Sequence, residues 1–452
     1  MKKHLFLLLL FLCCCVAVFG QAVTAVVIPV DVANQSATPL TSHPVVIPLS
    51  SYRWLRSALV MRDGQEVPYQ LDDLDGDGYF DELCFLTDLK PHEQLQFSVE
   101  LSSVGQPHSY EPQVYAEMLL SNKKIKEENK QDLYISSLTV DRGTNPYWQL
   151  HHHGPAFENR LVGYRVYFDH RQTVDIYGKY REGLELHDTQ FYPDSTQKAS
   201  GFGDDVLWVG STLGLGTLRG WDGEQPVMLD DVQHRTLRII ARGPLRTVIE
   251  VVDEGWNAPS TLHPSPSTLN PPPTTLHPQP STLTMTTRYT LYAGRRDCMV
   301  DIRFSYPSPT ALDPLSSTLN SPSAFHQFCT GVINVKNSTE YTDREGLRGC
   351  WGTDWPVSAK DSVGHKRETV GLGICLPRQN IVSELPADKR NYAFVVSAPT
   401  AELHYAVTFC SDNEQPQPAA ADSFGSIHSA EAWFTYLQAW KQRLTAAVEV
   451  SF

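Results

Sequence analysis

The sequence lacks the short signatures of several common enzyme classes. It has no G-x-S-x-G elbow of a serine hydrolase, no H-E-x-x-H motif of a zinc protease and no G-x-x-x-x-G-K phosphate loop. Strand bends suffice to explain the glycines between Gly210 and Gly216. Of the nine cysteines, six lie beyond the first twenty residues, and none is spaced as C-x-x-C, so a zinc site is not expected. The sequence allows these six cysteines either to form one or two disulfides or to remain as buried free thiols.

Positive charge is also scarce. The chain has 37 lysines and arginines against 51 aspartates and glutamates, which gives a formal net charge of −14. Binding to nucleic acid depends on basic patches that neutralise phosphates. The composition therefore argues against a nucleic-acid partner.

Long apolar runs are missing after residue 20, so we expect no transmembrane segment. The first twenty residues have the pattern of a signal peptide, with Lys2 and Lys3 before a short apolar core and small residues before Gln21. A periplasmic or extracellular protein is expected. An outer-membrane lipoprotein is the less favoured alternative, because Leu12 before Cys13 is too large for good lipoprotein processing.

What the sequence does have is the period of β-strands. Segments such as Leu95–Leu101, Thr236–Ala241 and Thr287–Tyr292 alternate apolar and polar residues and are rich in β-branched and aromatic side chains. Strands in this number bury their apolar faces by packing sheet on sheet. We therefore predict an all-β fold, a large antiparallel β-sandwich. One C-terminal helix is predicted over about 429–444, and its apolar stripe is interpreted as core packing.

The predicted organisation has three parts. After the signal peptide at 1–20, an N-terminal β module spans 22–105 and a β-sandwich domain spans 106–452. Two Pro-rich inserts, at 257–284 and 307–323, carry a seven-residue repeat whose prolines forbid a continuous helix. Their apolar content is too low for independent folding, and we predict that they are disordered.

An acidic loop in the N-terminal module has the pattern of a calcium site. Its carboxylates are Asp73, Asp75, Asp77 and Asp81. Carboxylates at alternate positions, followed by a glycine that permits a sharp bend, suit a hard cation. Position twelve is Cys84 instead of the usual glutamate, and the flanking residues look like strands. The sequence allows two interpretations of this segment. It is either a structural calcium loop between strands or a solvated acidic turn without metal.

The densest polar region lies between Tyr147 and Trp221. Its candidate catalytic residues are His153, Glu158, Arg160, Tyr177, Lys179, Asp204 and Asp205. Its candidate substrate-binding residues are Trp148, His151, Arg165, His187, Trp208 and Trp221. Aromatic faces stack on sugar rings, two carboxylates can hydrolyse a glycosidic bond, and a base beside an arginine can eliminate across a uronate.

Each of these candidates also has a structural interpretation. Any one of the histidines can be an ordinary buried histidine, although His151 and His153 would share one side of a strand and His152 the other. Asp204 and Asp205 can cap a turn after Gly203. Glu158 and Arg160 can form a simple pair on one face of a strand.

Several of these motifs occur together in a known family. The segments Gln70–Leu83, Phe157–Arg160, Asp175–Lys179 and Gly243–Thr247 resemble domain of unknown function family 4861, exported proteins of Bacteroidetes and similar bacteria. The resemblance implies a galactose-mutarotase-like β-sandwich and a place in polysaccharide-utilisation gene sets. It carries over Glu158, Asn159 and Arg160 and the acidic loop. Many members have an Asp-Asp segment where this chain has His151–Pro155, which suggests a subgroup with different chemistry.

The resulting hypothesis is an exported carbohydrate-active enzyme, a glycoside hydrolase or polysaccharide lyase acting on uronate-containing glycans. For elimination, His153 or Tyr177 would be the base and Arg160 would neutralise the uronate. For hydrolysis, Glu158 and Asp205 would be the carboxylate pair. The alternative is a non-catalytic protein that binds an oligosaccharide or polysaccharide, or a scaffold; a sugar epimerase is a weaker third. The sequence does not give the oligomeric state.

Overall fold

The structure is a computed structural model. It describes residues 25–121, 133–259, 282–305, 326–415, 425 and 427–452. The predicted signal peptide lies outside the described residues, as do the cysteines considered for lipid attachment. Most of both Pro-rich inserts also falls outside them.

Over the described residues the chain is built mainly from strands. In chain order they are β1 (Ala25–Asn34), β2 (Leu40–Pro48), β3 (Ser57–Arg62), β4 (Gln65–Glu66), β5 (Tyr69–Asp72), β6 (Glu82–Leu89), β7 (Gln94–Ser102), β8 (Val114–Glu117), β9 (Leu119–Leu120), β10 (Leu133–Tyr134), β11 (Ser137–Asp141), β12 (Ala156–Asn159), β13 (Gly163–Val166), β14 (Val174–Gly178), β15 (Asp204–Asp205), β16 (Arg219–Trp221), β17 (Pro226–Val227), β18 (His234–Arg242), β19 (Arg246–Trp256), β20 (Leu283–Tyr292), β21 (Asp297–Ser305), β22 (Phe328–Ile333), β23 (Thr339–Thr342), β24 (Leu347–Asp354), β25 (Glu368–Cys375), β26 (Ile381–Glu384), β27 (Asn391–Val396), β28 (Glu402–Ser411) and β29 (Val448–Ser451). The α-helices are α1 (Leu186–Thr189), α2 (Ser195–Ala199) and α3 (Ala430–Leu444), and two 3₁₀ turns cover Ala359–Asp361 and Arg378–Asn380.

The largest unit is an antiparallel sandwich. One layer is a nine-stranded sheet in the order β11-β18-β19-β20-β21-β28-β25-β24-β23. The other layer consists of two five-stranded sheets, β15-β14-β13-β12-β8 and β17-β16-β22-β27-β26. Side chains from all three sheets form one hydrophobic core, in which Phe157, Ile249 and Phe394 are fully buried. This confirms the predicted all-β fold, a large antiparallel sandwich.

A smaller sandwich is formed by residues near the N-terminus. Its layers are the five-stranded sheet β29-β1-β7-β3-β4 and the three-stranded sheet β2-β6-β5. These strands have a hydrophobic core of their own, which includes Val30, Val45, Phe85 and Val99. The sequence analysis did not anticipate that β29, the last strand of the chain, pairs with β1. The predicted boundaries of the N-terminal module stay a prediction.

A buried polar contact joins the two sandwiches. Gln70 on β5 accepts backbone hydrogen bonds from Leu245 and Arg246 at 2.8 and 2.9 Å. Arg246, only 4% exposed, bridges Asp72 and Glu82, with 2.7 Å to each carboxylate. Two of the motifs shared with the resembled family therefore meet at this junction.

Helix α3 lies on the outer face of the nine-stranded sheet. Ser429 caps its first turn by accepting from the Ala432 N–H at 3.2 Å. Trp433 packs on Gly371 and Leu437 on Gly373, because a glycine at each position leaves room for the large side chain. This confirms the predicted C-terminal helix and its packing role. The short helices α1 and α2 were not predicted.

The six cysteines beyond the signal-peptide region are all buried free thiols. Burial raises the pKa of Cys84 and of Cys350 to about 12, so neither is a reactive thiolate at neutral pH. The sequence allowed either disulfides or free thiols, and the structure has free thiols.

The longest described helix, α3, has 15 residues. Among the residues that the structure describes, no helix is long and apolar enough to cross a bilayer.

Candidate functional site

A buried arginine organises the polar side chains on β13, β14 and β15. Arg165 lies directly opposite Asp175 in the β13–β14 pairing. Its Nε and Nη2 donate to Asp175 Oδ2 at 3.0 and 2.7 Å, and Nη2 also donates to Asp205 Oδ2 at 2.7 Å. Nη1 donates to the Tyr192 hydroxyl at 2.5 Å, and the Tyr167 hydroxyl donates to Asp175 at 2.8 Å. We call these five residues the Arg165 cluster.

The charges of the Arg165 cluster do not balance when both acids are ionised, because two carboxylates share one guanidinium. The Asp175 side chain is fully buried, whereas the Asp205 side chain is 16% exposed. Burial, and then the charge of Asp175, raise the pKa of Asp205 well above its usual range, although Arg165 opposes the shift. Of the two acids, Asp205 is therefore the candidate proton donor, since its pKa is raised and its side chain is the one that is partly exposed.

His153 presents a proton acceptor beside this cluster. Its Nδ1 lies 2.9 Å from the carbonyl oxygen of Tyr147, which can only accept, so Nδ1 carries the proton and Nε2 has the lone pair. Burial lowers the pKa of His153 to about 4, with smaller contributions from the charges of Arg165 and Arg171. The imidazole is therefore neutral at physiological pH.

Aromatic rings surround His153. Tyr147 stacks on the imidazole with ring centroids 3.7 Å apart and planes 5° apart. Trp148 meets it edge-on at 5.3 Å, and Tyr167 lies 6.0 Å away. His153 is thereby linked through Tyr167 to the Arg165 cluster.

Three large aromatic side chains near these groups are open to solvent. Trp148 is 65%, Trp208 51% and Tyr192 44% exposed. Trp208 follows Asp205 by three residues, and Tyr192 is a member of the Arg165 cluster. We call these three residues the aromatic rim. Exposed aromatic faces of this kind suit a sugar ring.

Positive φ angles occur at several non-glycine residues in the loops around the site. Of the ten non-glycine residues with positive φ in the described chain, four belong to these loops, namely His153, Gln172, Gln190 and Phe191. Such conformations cost free energy and cluster at functional sites. Gln190 is the left-handed C-cap of α1, and the six other positions lie elsewhere in the described chain.

Glu158 and Lys179 form a separate buried pair. The Lys179 ammonium donates to Glu158 Oε2 and to the carbonyls of Asn159 and Gly183. Glu158 Oε1 accepts the backbone N–H groups of Glu185 and Leu186, at 2.7 Å each. Both side chains are fully buried, so they anchor the start of α1 and a substrate cannot reach them. Glu158 pairs with Lys179 and not with Arg160.

The other predicted residues are distributed more widely. Tyr177 is buried and donates to Glu185 at 3.1 Å, and Trp221 belongs to a small core with Cys329. Arg160 is exposed, and within the described chain it has no ion pair with the Arg165 cluster. Asp204 pairs with Lys198, and the exposed His187 lies 5.8 Å from the Tyr115 ring.

The histidine triplet lies in a turn and not on a strand, yet its members separate as predicted. His151 and His153 are partly exposed, and the His151 ring lies 6.3 Å from that of Tyr192. His152 is fully buried between the Gly154 carbonyl, at 3.0 Å, and Glu117, at 2.9 Å. Burial lowers the pKa of His152 well below its usual range, so it is a structural residue.

The structure thus brings together His151, His153, Arg165, Asp205 and Trp148 from the predicted set, and Trp208 is exposed three residues after Asp205. Asp175, Tyr167, Tyr192 and Arg171 were not among the predicted site residues. Asp175 could have been predicted from the sequence if β13 and β14 had been recognised as a hairpin, because Asp175 is then the cross-strand partner of Arg165. Tyr192 lies in an irregular loop after α1 and had no sequence signal.

In the acidic loop, Asp73, Asp75 and Asp81 each offer an oxygen within 4.8 Å of the others. Hard carboxylate oxygens grouped in this way fit calcium. Gly76 and Gly78 provide the bends, with φ of 83° and 86°. Asp77 instead faces Arg53, with 2.6 Å between Nη2 and Oδ2, so this charge pair removes it from the converging set. Calcium binding stays a prediction.

The family comparison supplies an identification. A family model described as Domain of unknown function (DUF4861) matches residues 32–450. The chain belongs to this family. The resemblance based on the Gln70–Leu83 and Phe157–Arg160 motifs is thereby confirmed.

Comparisons with other proteins do not identify an activity for this DUF4861 protein. No curated protein matches the chain. Two similar solved structures are a protein in the glycosyl hydrolase family 38 from Enterococcus faecalis and an alpha-mannosidase from Enterococcus faecalis V583. Each has 11% identity and a TM-score of 0.42 over 94% of this chain, and the matches cover 47% and 46% of the two proteins. The chain spans about half the length of each, and neither likeness identifies a function.

Proposed function

We propose that this DUF4861 protein is an exported polysaccharide lyase that cleaves uronate-containing glycans by β-elimination. The observation that carries the proposal is the presence, in one site, of a proton acceptor and a proton donor. His153 presents an unprotonated Nε2, and Asp205 is a partly exposed carboxyl with a raised pKa. Export is supported by the signal-peptide pattern of the first twenty residues.

In the proposed reaction, His153 Nε2 removes the proton at C5 of a uronate. The C4–O4 bond breaks, the electron pair forms a C4=C5 double bond, and Asp205 gives its proton to the leaving O4. A uronate carboxylate near His153 also counters the positive charges that lower the pKa of this histidine. The imidazole therefore becomes a stronger base when the substrate binds.

Arg171 is the candidate for neutralising the uronate carboxylate. Its side chain is 21% exposed, and its guanidinium lies 4.5 Å from the centroid of the Tyr147 ring that stacks on His153. It also donates to Asp169 at 2.6 Å, which fixes its position. Arg171 takes the role that the sequence analysis assigned to Arg160.

The same geometry disfavours the hydrolytic scheme. That scheme needs two carboxyl groups on either side of the glycosidic bond. Glu158, the expected partner of Asp205, is fully buried and holds Lys179 and the start of α1. Asp175 is also buried, so Asp205 is the acid of the Arg165 cluster whose side chain is partly exposed.

A non-catalytic glycan-binding protein is the second candidate. The exposed faces of Trp148 and Trp208 favour it, because stacking on sugars needs no proton transfer. In that case the Arg165 cluster would only hold the aromatic rim in place.

An assay of purified protein on pectic and other acidic polysaccharides tests the two candidates. A lyase generates the ultraviolet absorbance of an unsaturated uronate at each new non-reducing end. Hydrolysis would give new reducing ends without that absorbance and would refute elimination. Binding without any new chain end would favour the glycan-binding protein.

A further inference from the structure

A groove of 520 Å³ lies away from the Arg165 cluster, on the outer face of the nine-stranded sheet. Its floor is formed by side chains of β18, β19, β20, β21 and β28. Its wall is formed by Val46, Leu74 and Glu82 of the smaller sandwich. The volume falls in the range of ligand-binding sites, which is about 300–1,000 Å³. We call it the sheet groove.

A row of charges of alternating sign crosses the floor of the sheet groove. Five neighbouring strands each contribute one residue, and each residue lies directly opposite the next in strand register. The row is Arg238, Glu250, Arg288, Asp301 and His404. Strands are about 4.8 Å apart, so the row extends over roughly 19 Å. This is the length of an extended oligomer, not of a single sugar.

The two arginines of this row have N–H groups that are not used in hydrogen bonds with described residues. Glu250, 2% exposed, accepts from Arg238 Nε and Nη2 and from Arg288 Nε. In the described part of the chain, Arg238 Nη1 and both terminal nitrogens of Arg288 have no protein acceptor. Both side chains are partly exposed, at 38% and 29%. Buried Glu250 thus holds two guanidinium groups in place with N–H groups left for a ligand.

The neighbouring row adds a third cation and hydroxyl groups. Arg303 on β21 lies opposite Thr286 on β20. Arg303 is 66% exposed, and its contact with Glu402 is long, at 3.3 Å. Thr286 and Thr290 line the same groove. Arginines, hydroxyls and the Asp301 carboxylate together match a ligand that carries both carboxylates and hydroxyls.

We infer that the sheet groove is a second, non-catalytic binding site for an anionic oligosaccharide, whose carboxylates pair with Arg238, Arg288 and Arg303. Three of the arginines that line the groove, Arg238, Arg288 and Arg303, are accessible to solvent, and they offer guanidinium groups to a ligand on a chain of net charge −14. The protein as a whole repels a polyanion, so binding of a polyanion in the sheet groove depends on these local arginines. The inference does not depend on the proposed lyase reaction.

A cross-strand charge row can also serve stability alone, and the test must separate the two roles. Affinity is measured by calorimetry for a short oligogalacturonate and for a neutral galactan of the same length. All chains carry His153→Ala, which prevents turnover by the proposed lyase site. Arg303→Glu is the test variant. Arg378→Glu is its matched control, since Arg378 is 61% exposed, pairs with Glu345 at 3.5 Å and does not line the groove.

We expect Arg303→Glu to weaken oligogalacturonate binding by about tenfold or more, since a charged hydrogen bond is lost and repulsion is added. Arg378→Glu should bind like the parent. Thr286→Trp, which fills the groove without altering charge, should also lose binding while keeping its melting temperature. Affinity that rises as salt falls would support ionic recognition.

Equal affinities for Arg303→Glu and Arg378→Glu would overturn the inference, as would equal affinity for the neutral galactan. A lower melting temperature in Arg303→Glu with unchanged affinity would show a purely structural charge row. If the wild-type protein makes no unsaturated product but Arg303→Glu still abolishes binding, the lyase proposal fails and the sheet groove stands.

Discussion

At the scale of single residues, one hydrogen bond decides the chemistry available to His153. The Tyr147 carbonyl fixes the proton on Nδ1, and the lone pair of Nε2 faces away from it. The neighbouring His152 cannot act as a base in the same way, because both of its ring nitrogens are hydrogen-bonded to protein groups. Residue type alone therefore does not separate a base from a structural histidine.

The first prediction concerns the proposed base and acid. We expect His153→Ala and Asp205→Asn each to lower kcat/KM for elimination by about 10²–10⁴, the usual contribution of a positioned proton-transfer group. His234→Ala is the control and should keep the activity, because His234 is an exposed histidine on β18 that pairs with Asp141 outside the site. Circular dichroism and melting curves check the fold, and full activity in both test variants would remove the assignment.

The second prediction is a pH profile. Below about pH 4 His153 is protonated and cannot accept a proton, so kcat/KM should rise with pH through that region. Above the raised pKa of Asp205 the acid is lost, so kcat/KM should fall again. The profile is measured for wild type and for Asp205→Asn. The falling limb should disappear in Asp205→Asn, and an unchanged limb would assign the acid elsewhere.

At the scale of elements, β12, β14 and the start of α1 are tied together by Glu158 and Lys179. The acid accepts two N–H groups at the start of the helix, and the ammonium donates to the carbonyls of Asn159, at the end of β12, and of Gly183, in the loop before α1. The pair therefore holds α1 and, after it, the loop that carries Tyr192.

We predict that breaking the Glu158–Lys179 pair lowers the stability of the protein and does not act on the catalytic step directly. Glu158→Gln leaves Lys179 buried without its counter-charge and should cost about 3–5 kcal/mol of the free energy of unfolding. Chemical denaturation measures this cost. Glu182→Gln, at an exposed position of the same loop, should be neutral. A stable Glu158→Gln protein without activity would instead return Glu158 to the catalytic site.

The acidic loop makes the next prediction. If Asp73, Asp75 and Asp81 hold calcium, a chelator should lower the melting temperature and added calcium should restore it. Asp73→Asn should abolish the calcium response. Asp77→Asn should retain it, because Asp77 pairs with Arg53. A chelator without effect on the wild type would show an acidic turn that needs no metal.

At the scale of the whole molecule, the two sandwiches meet at Arg246. Arg246→Met should separate their unfolding, because Asp72 and Glu82 lose their shared cation at the junction. Calorimetry should then show two transitions where the wild type shows one. Arg242→Met, at the exposed end of β18, is the control. A single unshifted transition in Arg246→Met would mean that other contacts couple the sandwiches.

Sequence periodicity was sufficient for the fold class and for α3, since alternation along strands such as β18 and the apolar stripe of α3 are local signals. The candidate site was recovered only in part. Arg165, His153 and Asp205 come together through the pairing of β13, β14 and β15 and through a turn at Gly154. Glu158 was placed in the site by its residue type, and only the fold shows that it is buried. The pairing of β29 with β1 joins segments more than 400 residues apart, which no local pattern reports.

The pairing of β29 with β1 also bears on biosynthesis. A ribosome emits β1 more than 400 residues before β29. Until then β1 has β7 on one side and an open backbone edge on the other, which is a template for pairing with a strand of another chain. In a nascent chain, this edge of β1 therefore stays open until β29 has been made.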